Sequence, residues 1–296
     1  MALPLSAAGK IASYAIHPPN PTPQFLGIER SQAIHRINLI NAWNPAATPG
    51  ARILELGCGQ GTCTQALAHA VSPSGHVTAI DPASPDYGAP FTLAQAQSHL
   101  SSGPLGPLIT FHRADPVAFL NAIPTSADPK WDVAILAHCI WYFPSSTTLD
   151  EMLSALRGRV KRVCIAEWAL HATEQAASAH VLAALARATF EAHRAGSKEN
   201  IQTTLSPRAI REAAARAGWK VEKEGTVVPE RELSDGFWEV GTVVDEEFLE
   251  DVEREVKDER VKAVLRSARD ATVAAAKGGV GKVRSMDVWV ATLIPE

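Results

Sequence analysis

Short apolar runs alternate with helical patterns along the first part of the chain. Most of these runs contain few polar residues, which is typical of strands buried on both faces of a parallel sheet. Between the runs, apolar residues recur at the 3.6-residue period of amphipathic helices. Alternating strands and helices predict a doubly wound α/β fold. Strands are predicted at 53–56, 77–81, 109–115, 131–137 and 163–168, and helices at 62–71, 90–100, 117–122, 148–160, 175–195 and 207–217.

Composition and charge narrow the classes of partner. The 296 residues can bury a full core and could form one large domain or one and a half domains. The net charge of −4 and the pI near 6.2 argue against binding to a phosphate backbone. The four cysteines include no CxxC pair, which favours a reduced intracellular protein over a disulfide or zinc framework. Since we find neither a membrane-length apolar run nor a signal-peptide pattern, we expect a cytoplasmic protein without nucleic-acid, membrane or metal partners.

A glycine-rich bend joins the first predicted strand to its helix. Gly57, Gly59 and Gly61 allow positive φ angles and let a ligand approach the backbone closely. Their G-x-G-x-G spacing differs from the G-x-G-x-x-G of dinucleotide folds, and no Lys or Arg follows through position 70, which excludes a Walker-type loop. Glu55 ends the strand just before the bend. An acidic strand end with no basic residue nearby favours a ligand that has a cationic end.

The segment 55–61, with the sequence E-L-G-C-G-Q-G, resembles the E/D-x-G-x-G-x-G motif of class I S-adenosylmethionine (SAM) dependent methyltransferases. Asp81 supports this resemblance, because it ends the second strand twenty residues after Gly61, where a carboxylate can accept both ribose hydroxyls. Taken singly, Asp81 also fits a turn residue before Pro82, and Glu55 fits an acid satisfied by backbone N–H groups. The agreement of two acids with three glycines favours the ligand. The resemblance implies SAM binding by Glu55, Gly57, Gly59, Gly61 and Asp81.

The resemblance also implies how the rest of the chain is organised. It predicts a Rossmann-like, doubly wound sheet of seven strands, mostly parallel with an antiparallel last strand. The alternating segment 219–224 and the final apolar segment 286–293 are the expected closing pair. The division is then an N-terminal helical lid at 1–48 and a SAM-binding core at 49–296 with a helical insertion at 229–284. Within the insertion, apolar residues of helical period favour a helix packed on the sheet domain over a helix that binds a partner.

Two parts of the chain are expected to cover the cofactor. Helical patterns at about 10–16 and 29–42 would form the lid, which makes Tyr14 a candidate for cofactor contact and His17 a candidate for acceptor contact. Packing at a helix end is the competing interpretation for both residues. At the third strand end, the resemblance places Ala114 and Asp115 beside the adenine. Asp115 also fits the N-cap of the following helix, and the two roles are compatible.

Candidate acid–base residues follow the fourth and fifth strands, at the sheet edge where parallel sheets bind ligands. His138 is the candidate general base, because imidazole titrates near neutrality. Glu167 is a candidate to orient an amine or to act as a base. The alternatives are a histidine that shapes the pocket without proton transfer and a carboxylate that caps the next helix.

Aromatic residues cluster where the acceptor is expected. Aromatic walls suit a flat or cationic organic acceptor through stacking and cation–π contacts, and core packing is the alternative for each ring. The N/D-P-P-Y/F/W motif of DNA amino-methylating enzymes does not follow the fourth strand. The candidate acceptor-binding residues are His17, Trp141, Tyr142, Trp168, Asn200 and Trp238.

Three functions remain open from the sequence. The leading hypothesis is methyl transfer from SAM to N, O or S of a small organic acceptor, aromatic or amine-containing, by a monomer or homodimer. The alternative is a catalytically silent SAM-binding protein of the same fold that regulates or scaffolds a partner. A nicotinamide-dependent oxidoreductase is disfavoured by the glycine spacing and by the expected antiparallel closing pair.

Overall fold

The computed structural model contains the strands and helices in the order that the sequence predicts. It describes residues 2–44, 46–126, 128, 130–194, 199–279 and 281–296. The strands are β1 (Arg52–Leu56), β2 (His76–Asp81), β3 (Ile109–Arg113), β4 (Val133–Ala137), β5 (Val163–Trp168), β6 (Trp219–Val227) and β7 (Val288–Pro295). The helices are α1 (Ala8–Ala12), α2 (Pro23–Ala42), α3 (Thr62–Val71), α4 (Leu93–Ser102), α5 (Pro116–Asn121), α6 (Thr147–Leu156), α7 (Ser178–Glu191), α8 (Pro207–Arg216), α9 (Asp235–Val244), α10 (Glu246–Glu255) and α11 (Glu259–Gly278).

The seven strands form one sheet in the order β3-β2-β1-β4-β5-β7-β6. The first five strands pair in parallel, whereas β7 runs antiparallel to both β5 and β6. The predicted fold class is therefore confirmed. The order reverses between β1 and β4, because β1 pairs with β2 on one side and with β4 on the other. A ligand crevice is expected beyond the carboxyl ends of the strands at such a reversal.

Helices cover both faces of the sheet, as strands buried on two sides require. Successive residues of a strand point to opposite faces, so Ile53 packs in the core under α1–α3 and Leu54 packs in the core under α5, α6 and α8. A third apolar cluster joins α7 to α9, α10 and α11. The helices of the predicted insertion therefore pack on α7.

Several boundaries differ from the sequence prediction for local reasons. Helix α2 begins at Pro23 because the side chain of Thr22 accepts a hydrogen bond from the Phe25 N–H at 3.1 Å and Pro is favoured at the first helical position. The helical region of the insertion is split, since Asp258 caps a new helix by accepting from the Arg260 N–H at 2.8 Å. The predicted helix 175–195 is a short 3₁₀ turn followed by α7, and its expected end at Ala195 lies outside the described residues.

The N-terminal helices are part of the main core. Apolar residues of α1 and α2 share one cluster with β1, β2, β4 and β5. Trp43, which follows α2 and is 2 % exposed, donates its indole N–H to the Ile165 carbonyl in β5 at 3.1 Å. This contact holds the end of α2 against the middle of the sheet.

Candidate active site

The glycine bend after β1 has the backbone conformation that its sequence predicts. Gly57, Gly59 and Gly61 have φ angles of 72°, 53° and 93°, which side-chain-bearing residues rarely adopt. A Cβ at Gly57 would lie 2.5 Å from the Cβ of Cys139, so that glycine is also required by packing. A Cβ at Gly59 would meet no described atom within 4 Å. The bend is thus packed from below and open above its central glycine.

The Asp81 carboxylate lies directly on the bend. Its Oδ2 accepts from the Gly59 N–H at 2.8 Å, and its Oδ1 accepts from the Ala83 N–H at 2.9 Å. Strands β1 and β2 are neighbours, and both end at this edge of the sheet. The structure therefore brings Asp81 and the glycines together at the topological reversal.

Glu55 lies beneath the bend. It is 2 % exposed, and its Oε2 accepts from the Thr64 hydroxyl at 2.6 Å. Burial raises the pKa of Glu55 to about 7, although hydrogen bonds from Thr64 and Cys63 and the positive charge of Arg36 oppose the rise. Placement of a cation above the bend would favour the ionised form of this acid.

The third strand end brings Ala114 and Asp115 to the same edge. The Ala114 N–H donates to the Asp81 carbonyl at 3.3 Å. Asp115 caps α5, because its Oδ1 accepts from the Ala118 N–H at 2.8 Å. The N-cap role of Asp115 is present, and its predicted contact with adenine stays a prediction.

His138 follows β4 in a strained conformation. Its φ of 54° is uncommon for a side-chain-bearing residue and costs of the order of 1–2 kcal/mol. Its Nε2 lies 2.9 Å from Nε2 of His35 in α2, and its Nδ1 lies 3.5 Å from Oε1 of Glu167. Burial lowers the pKa of both imidazoles well below 6.5, and Arg36 lowers it further, so both are neutral at physiological pH.

Glu167 supports the turn after β4. It is 1 % exposed, its Oε2 accepts from the Ile140 N–H at 3.0 Å, and its Oε1 accepts from the Trp168 N–H at 2.9 Å. Burial raises the pKa of Glu167 to about 7, against these backbone hydrogen bonds. The carboxylate therefore positions the loop while it faces His138.

The predicted acceptor residues divide into buried and exposed groups. Trp168 is 9 % exposed, and its ring centroid lies 4.3 Å from that of His138. Trp141 is 3 % exposed and donates its indole N–H to the Leu205 carbonyl at 3.1 Å, which is a packing role. Tyr142 and Trp238 are about half exposed.

Asn200 lies between two of these elements. Its Nδ2 donates to Oε1 of Glu239 in α9 at 3.0 Å, and its interaction with the Tyr142 hydroxyl opposes the burial that raises the pKa of Tyr142. Glu239 is the residue after Trp238. Asn200 therefore connects the loop after β4 to the first helix of the predicted insertion.

Tyr14 and His17 make their contacts away from the bend. The Tyr14 hydroxyl lies 3.4 Å from Nδ1 of His69 in the last turn of α3, whereas the bend is at the first turn of that helix. His17 Nε2 lies 3.1 Å from the Ala12 carbonyl, and its ring makes an edge contact with Phe25. The structure thus places both residues in helix-end packing, without bringing them to the predicted cofactor residues.

Two site residues, His35 and Arg36, were missed by the sequence reasoning. They are adjacent in α2, between Ile34 and Ile37. A histidine and an arginine between two isoleucines of a helix are the signal that could have identified them. Nε and Nη1 of Arg36 are buried and have no hydrogen-bond partner among the described residues. The positive charge of Arg36 opposes the burial that raises the pKa of Glu55, Glu167 and Asp235.

These groups fit SAM. Its ammonium and sulfonium charges suit an edge with two carboxylates, and its hydroxyls suit Asp81. Its carboxylate suits the two guanidinium nitrogens of Arg36 that lack partners among the described residues.

In the described part of the chain, no set of three or more His, Cys, Asp or Glu side chains is arranged to hold a metal ion. No helix within the described ranges is both long and apolar enough to cross a membrane.

Comparisons with known proteins agree with the geometry. A methyltransferase domain model matches residues 53–163. Over 318 residues the chain is 32% identical to Methyltransferase phomM' of Diaporthe leptostromiformis, and the alignment covers 87% of this chain and 82% of the relative. Methyltransferase phomM of the same organism matches with the same identity and the same coverages. The crystal structure of a cyclopropane-fatty-acyl-phospholipid synthase-like protein from Lactobacillus casei superposes with a TM-score of 0.83, at 30% identity over 98% of this chain and 99% of its own. The chain therefore belongs to the class I SAM-dependent methyltransferases.

Proposed function

We propose that this methyltransferase transfers the methyl group of SAM to an N, O or S atom of a small organic acceptor that is aromatic or contains an amine. The observation that carries the proposal is the hydrogen bond from the Gly59 N–H to Asp81 at 2.8 Å, next to a sheet edge that carries His138, Tyr142 and Trp168. The proposed cofactor residues therefore lie next to strand ends that carry a histidine and two aromatic side chains.

The cofactor would be held by residues of the first three strand ends. Glu55 and the three glycines form the base of its site, Asp81 accepts its ribose hydroxyls, and Ala114 with Asp115 borders its adenine. Arg36 pairs with its carboxylate. In this proposal residues 1–48 form the lid of the core 49–296, with 229–284 as the insertion, and the protein acts as a monomer or homodimer.

The acceptor would lie over the ends of β4 and β5. Tyr142 and Trp168 offer aromatic surface to a flat or cationic molecule. Asn200 and Trp238 would border the same edge, because Asn200 bonds to Glu239, the residue that follows Trp238 in α9. Tyr14 and His17 reach the ligands only if the N-terminal segment rearranges, since their contacts lie elsewhere.

Bound SAM supplies a methyl group that is already electrophilic, so the protein contributes mainly position and a dry environment. Holding the acceptor in attack geometry can contribute about 7–11 kcal/mol. His138 would accept the proton that an amine or hydroxyl acceptor releases, because burial keeps its imidazole neutral. Glu167, 3.5 Å from His138 Nδ1, would offset the resulting charge.

Calorimetric titration with SAM tests the cofactor part of the proposal. Asp81→Asn should weaken binding about 10- to 100-fold, because a charge-assisted hydrogen bond contributes ~1.5–3 kcal/mol. Asp132→Asn is the matched control, since Asp132 precedes β4 at the opposite edge of the sheet and pairs with Arg52 and Lys161. Equal SAM affinity in both variants would contradict the assignment of Asp81.

A product screen tests the acceptor part. The wild-type protein is incubated with SAM and panels of amines, phenols and thiols, or with host metabolite extract, and methylated products are detected by mass spectrometry. We expect a mass gain of one methyl group on an aromatic or amine-containing compound. Firm SAM binding without any product would favour the silent regulatory alternative.

A further inference from the structure

The segment 82–92, which joins β2 to α4, is attached at both of its ends to the middle of the glycine bend. Just before the segment, Oδ2 of Asp81 accepts from the Gly59 N–H at 2.8 Å. Near its end, Nε2 of Gln60 donates to the Phe91 carbonyl at 2.5 Å. Because Gly59 and Gln60 are neighbours in the chain, the segment leaves the bend and returns to it.

Helix α4 fixes the returning end of the segment. Thr92 and Gln95 form a capping box, in which the Thr92 hydroxyl accepts from the Gln95 N–H at 3.3 Å and Gln95 Oε1 accepts from the Thr92 N–H at 2.9 Å. One turn later, Nε2 of Gln97 donates to the Gly59 carbonyl at 2.8 Å. The backbone of Gly59 is therefore held through both its N–H and its carbonyl, while the space where a Cβ would lie contains no described atom within 4 Å.

Gly88 leaves room for the Gln60 side chain. Its φ is 103°, and a Cβ at this position would lie 2.6 Å from Nε2 of Gln60 and 3.1 Å from the Phe91 carbonyl oxygen. The Gln60 amide can therefore reach the Phe91 carbonyl only because residue 88 has no side chain. The hydrogen bond and the glycine together form one contact between the bend and the segment.

The middle of the segment extends from the bend into solvent. Residues 84–90 are exposed, and the Tyr87 side chain is about half exposed. Burial of the rest of that side chain raises the pKa of Tyr87, and the negative charges of Glu199 and Asp81 raise it further. Asp81 belongs to the proposed cofactor edge, and Glu199 precedes Asn200 of the proposed acceptor edge. Tyr87 therefore lies near both edges.

We propose that Gln60 is a positioning residue for SAM, which holds segment 82–92 against the glycine bend so that this segment forms the outer wall of the cofactor site. The inference goes beyond the choice of acceptor and rests on the cofactor site of the proposed function. The Gln60 amide fixes the wall before SAM arrives, so less conformational entropy is lost on binding. Without the amide, the segment keeps its attachments at Asp81 and α4 but loses the contact that holds Phe91 beside the bend.

Limited digestion with chymotrypsin tests the wall without any acceptor. The exposed segment offers the bond after Tyr87, and mass spectrometry identifies the fragments that end there. We expect saturating SAM to slow this cleavage several-fold in the wild-type protein. Gln60→Met keeps the length of the side chain but removes the donor, so it should speed the cleavage in the absence of SAM. Equal cleavage with and without SAM, or equal cleavage of wild type and Gln60→Met, would overturn the proposal.

Calorimetric titration measures the effect on SAM affinity. Gln60→Met should raise the Kd for SAM about five- to tenfold, because it removes one hydrogen bond that orders the site. Lys223→Met is the matched control: the Lys223 Nζ also donates to a backbone carbonyl, that of Ala42 at 3.1 Å, but it belongs to β6 at the far edge of the sheet. An unchanged Kd in Gln60→Met, or an equal rise in Lys223→Met, would refute the role of Gln60.

A double-mutant cycle tests the contact between Gln60 and Gly88. Gly88→Ala should raise the Kd for SAM in the wild-type background, because the new Cβ displaces the Gln60 amide. In the Gln60→Ala background this amide is absent, so Gly88→Ala should have a smaller effect. Equal effects of Gly88→Ala in the two backgrounds would show that only the φ of residue 88 matters, and would refute the contact.

These outcomes are distinct from those that test methyl transfer. If Gln60→Met binds SAM as tightly as the wild type and the wild type forms a methylated product, this inference fails and the proposed function stands. If SAM protects the segment and the Gln60 variants bind SAM more weakly, but the wild type methylates nothing, the proposed methyl transfer fails and the role of Gln60 stands.

Discussion

Glu55 offers a direct test of the electrostatics beneath the glycine bend. Its carboxylate is buried, and the Thr64 hydroxyl is its closest hydrogen-bond donor, at 2.6 Å. Arg36 influences it only through charge. Glu55→Gln keeps the size of the side chain and an oxygen that can accept from Thr64, but removes the ionisable group. The substitution therefore isolates the free-energy cost of a negative charge at this position.

The magnitude follows from the pKa. Burial raises it from 4.5 to about 7 in the folded protein, so the native state binds more protons than the unfolded state between these values. The contribution of Glu55 to stability is fully present below pH 4.5 and is lost as pH rises through 7. At 1.36 kcal/mol per pH unit, the loss between pH 5 and pH 8 is about 2–3 kcal/mol. The Gln variant does not suffer this loss.

Urea denaturation without SAM, at pH 5 and pH 8 and constant ionic strength, measures the effect. Relative to wild type, Glu55→Gln should gain about 2–3 kcal/mol in free energy of unfolding from pH 5 to pH 8. Asp132→Asn is the control, because hydrogen bonds from Lys161 and Arg52 outweigh partial burial and lower the Asp132 pKa from 3.8 to about 2. Both values lie below pH 5, so its effect should be equal at the two pH values. A Glu55→Gln difference that does not change with pH would refute the reasoning.

Substitutions in the bend test its packing and its hydrogen bonds. Gly57→Ala should destabilise by ~2–4 kcal/mol in urea titrations, because its Cβ would lie 2.5 Å from that of Cys139 at a φ of 72°. Gly59→Ala, with a similar φ and open space, should cost about 1–2 kcal/mol, and equal losses would contradict the packing argument. Thr64→Val should destabilise by ~1–3 kcal/mol at pH 8 and raise the pH at which Glu55 ionises, as followed by carboxyl ¹³C resonances. An unchanged Glu55 titration would show that the hydroxyl is not its donor.

Elements bounded by glycines or caps were predicted closely. Strand β5 and helix α3 have the limits that their apolar runs predict, and helix α8 starts after the predicted Ser206 cap. Local patterns determine such elements, because the burial of their own residues selects one conformation. The start of α2 and the division of the insertion into separate helices were predicted less well. Caps and packing on α7 decide them, and neither produces a regular sequence period.

Only part of the functional site was predicted, because local sequence patterns identify some of its residues and tertiary packing decides the others. The acid-tipped strands and the glycine bend are contiguous in sequence, so their chemistry could be recognised before the fold. Tyr14 was expected at the cofactor and lies at the other end of α3, because the helical period does not specify where a preceding helix crosses its neighbour. Asp115 was predicted with two compatible roles, of which the N-cap is present.

By itself the sequence determined the strand–helix alternation, the glycine bend and the two acids that identify a SAM-binding edge. These features depend on neighbouring residues and on backbone freedom, which are properties of short segments. Only the tertiary structure decided that His35 meets His138, 103 positions away, and that Arg36 leaves two guanidinium nitrogens buried without partners among the described residues. Such contacts depend on how α2 crosses the carboxyl edge of the sheet, and no local pattern encodes that crossing.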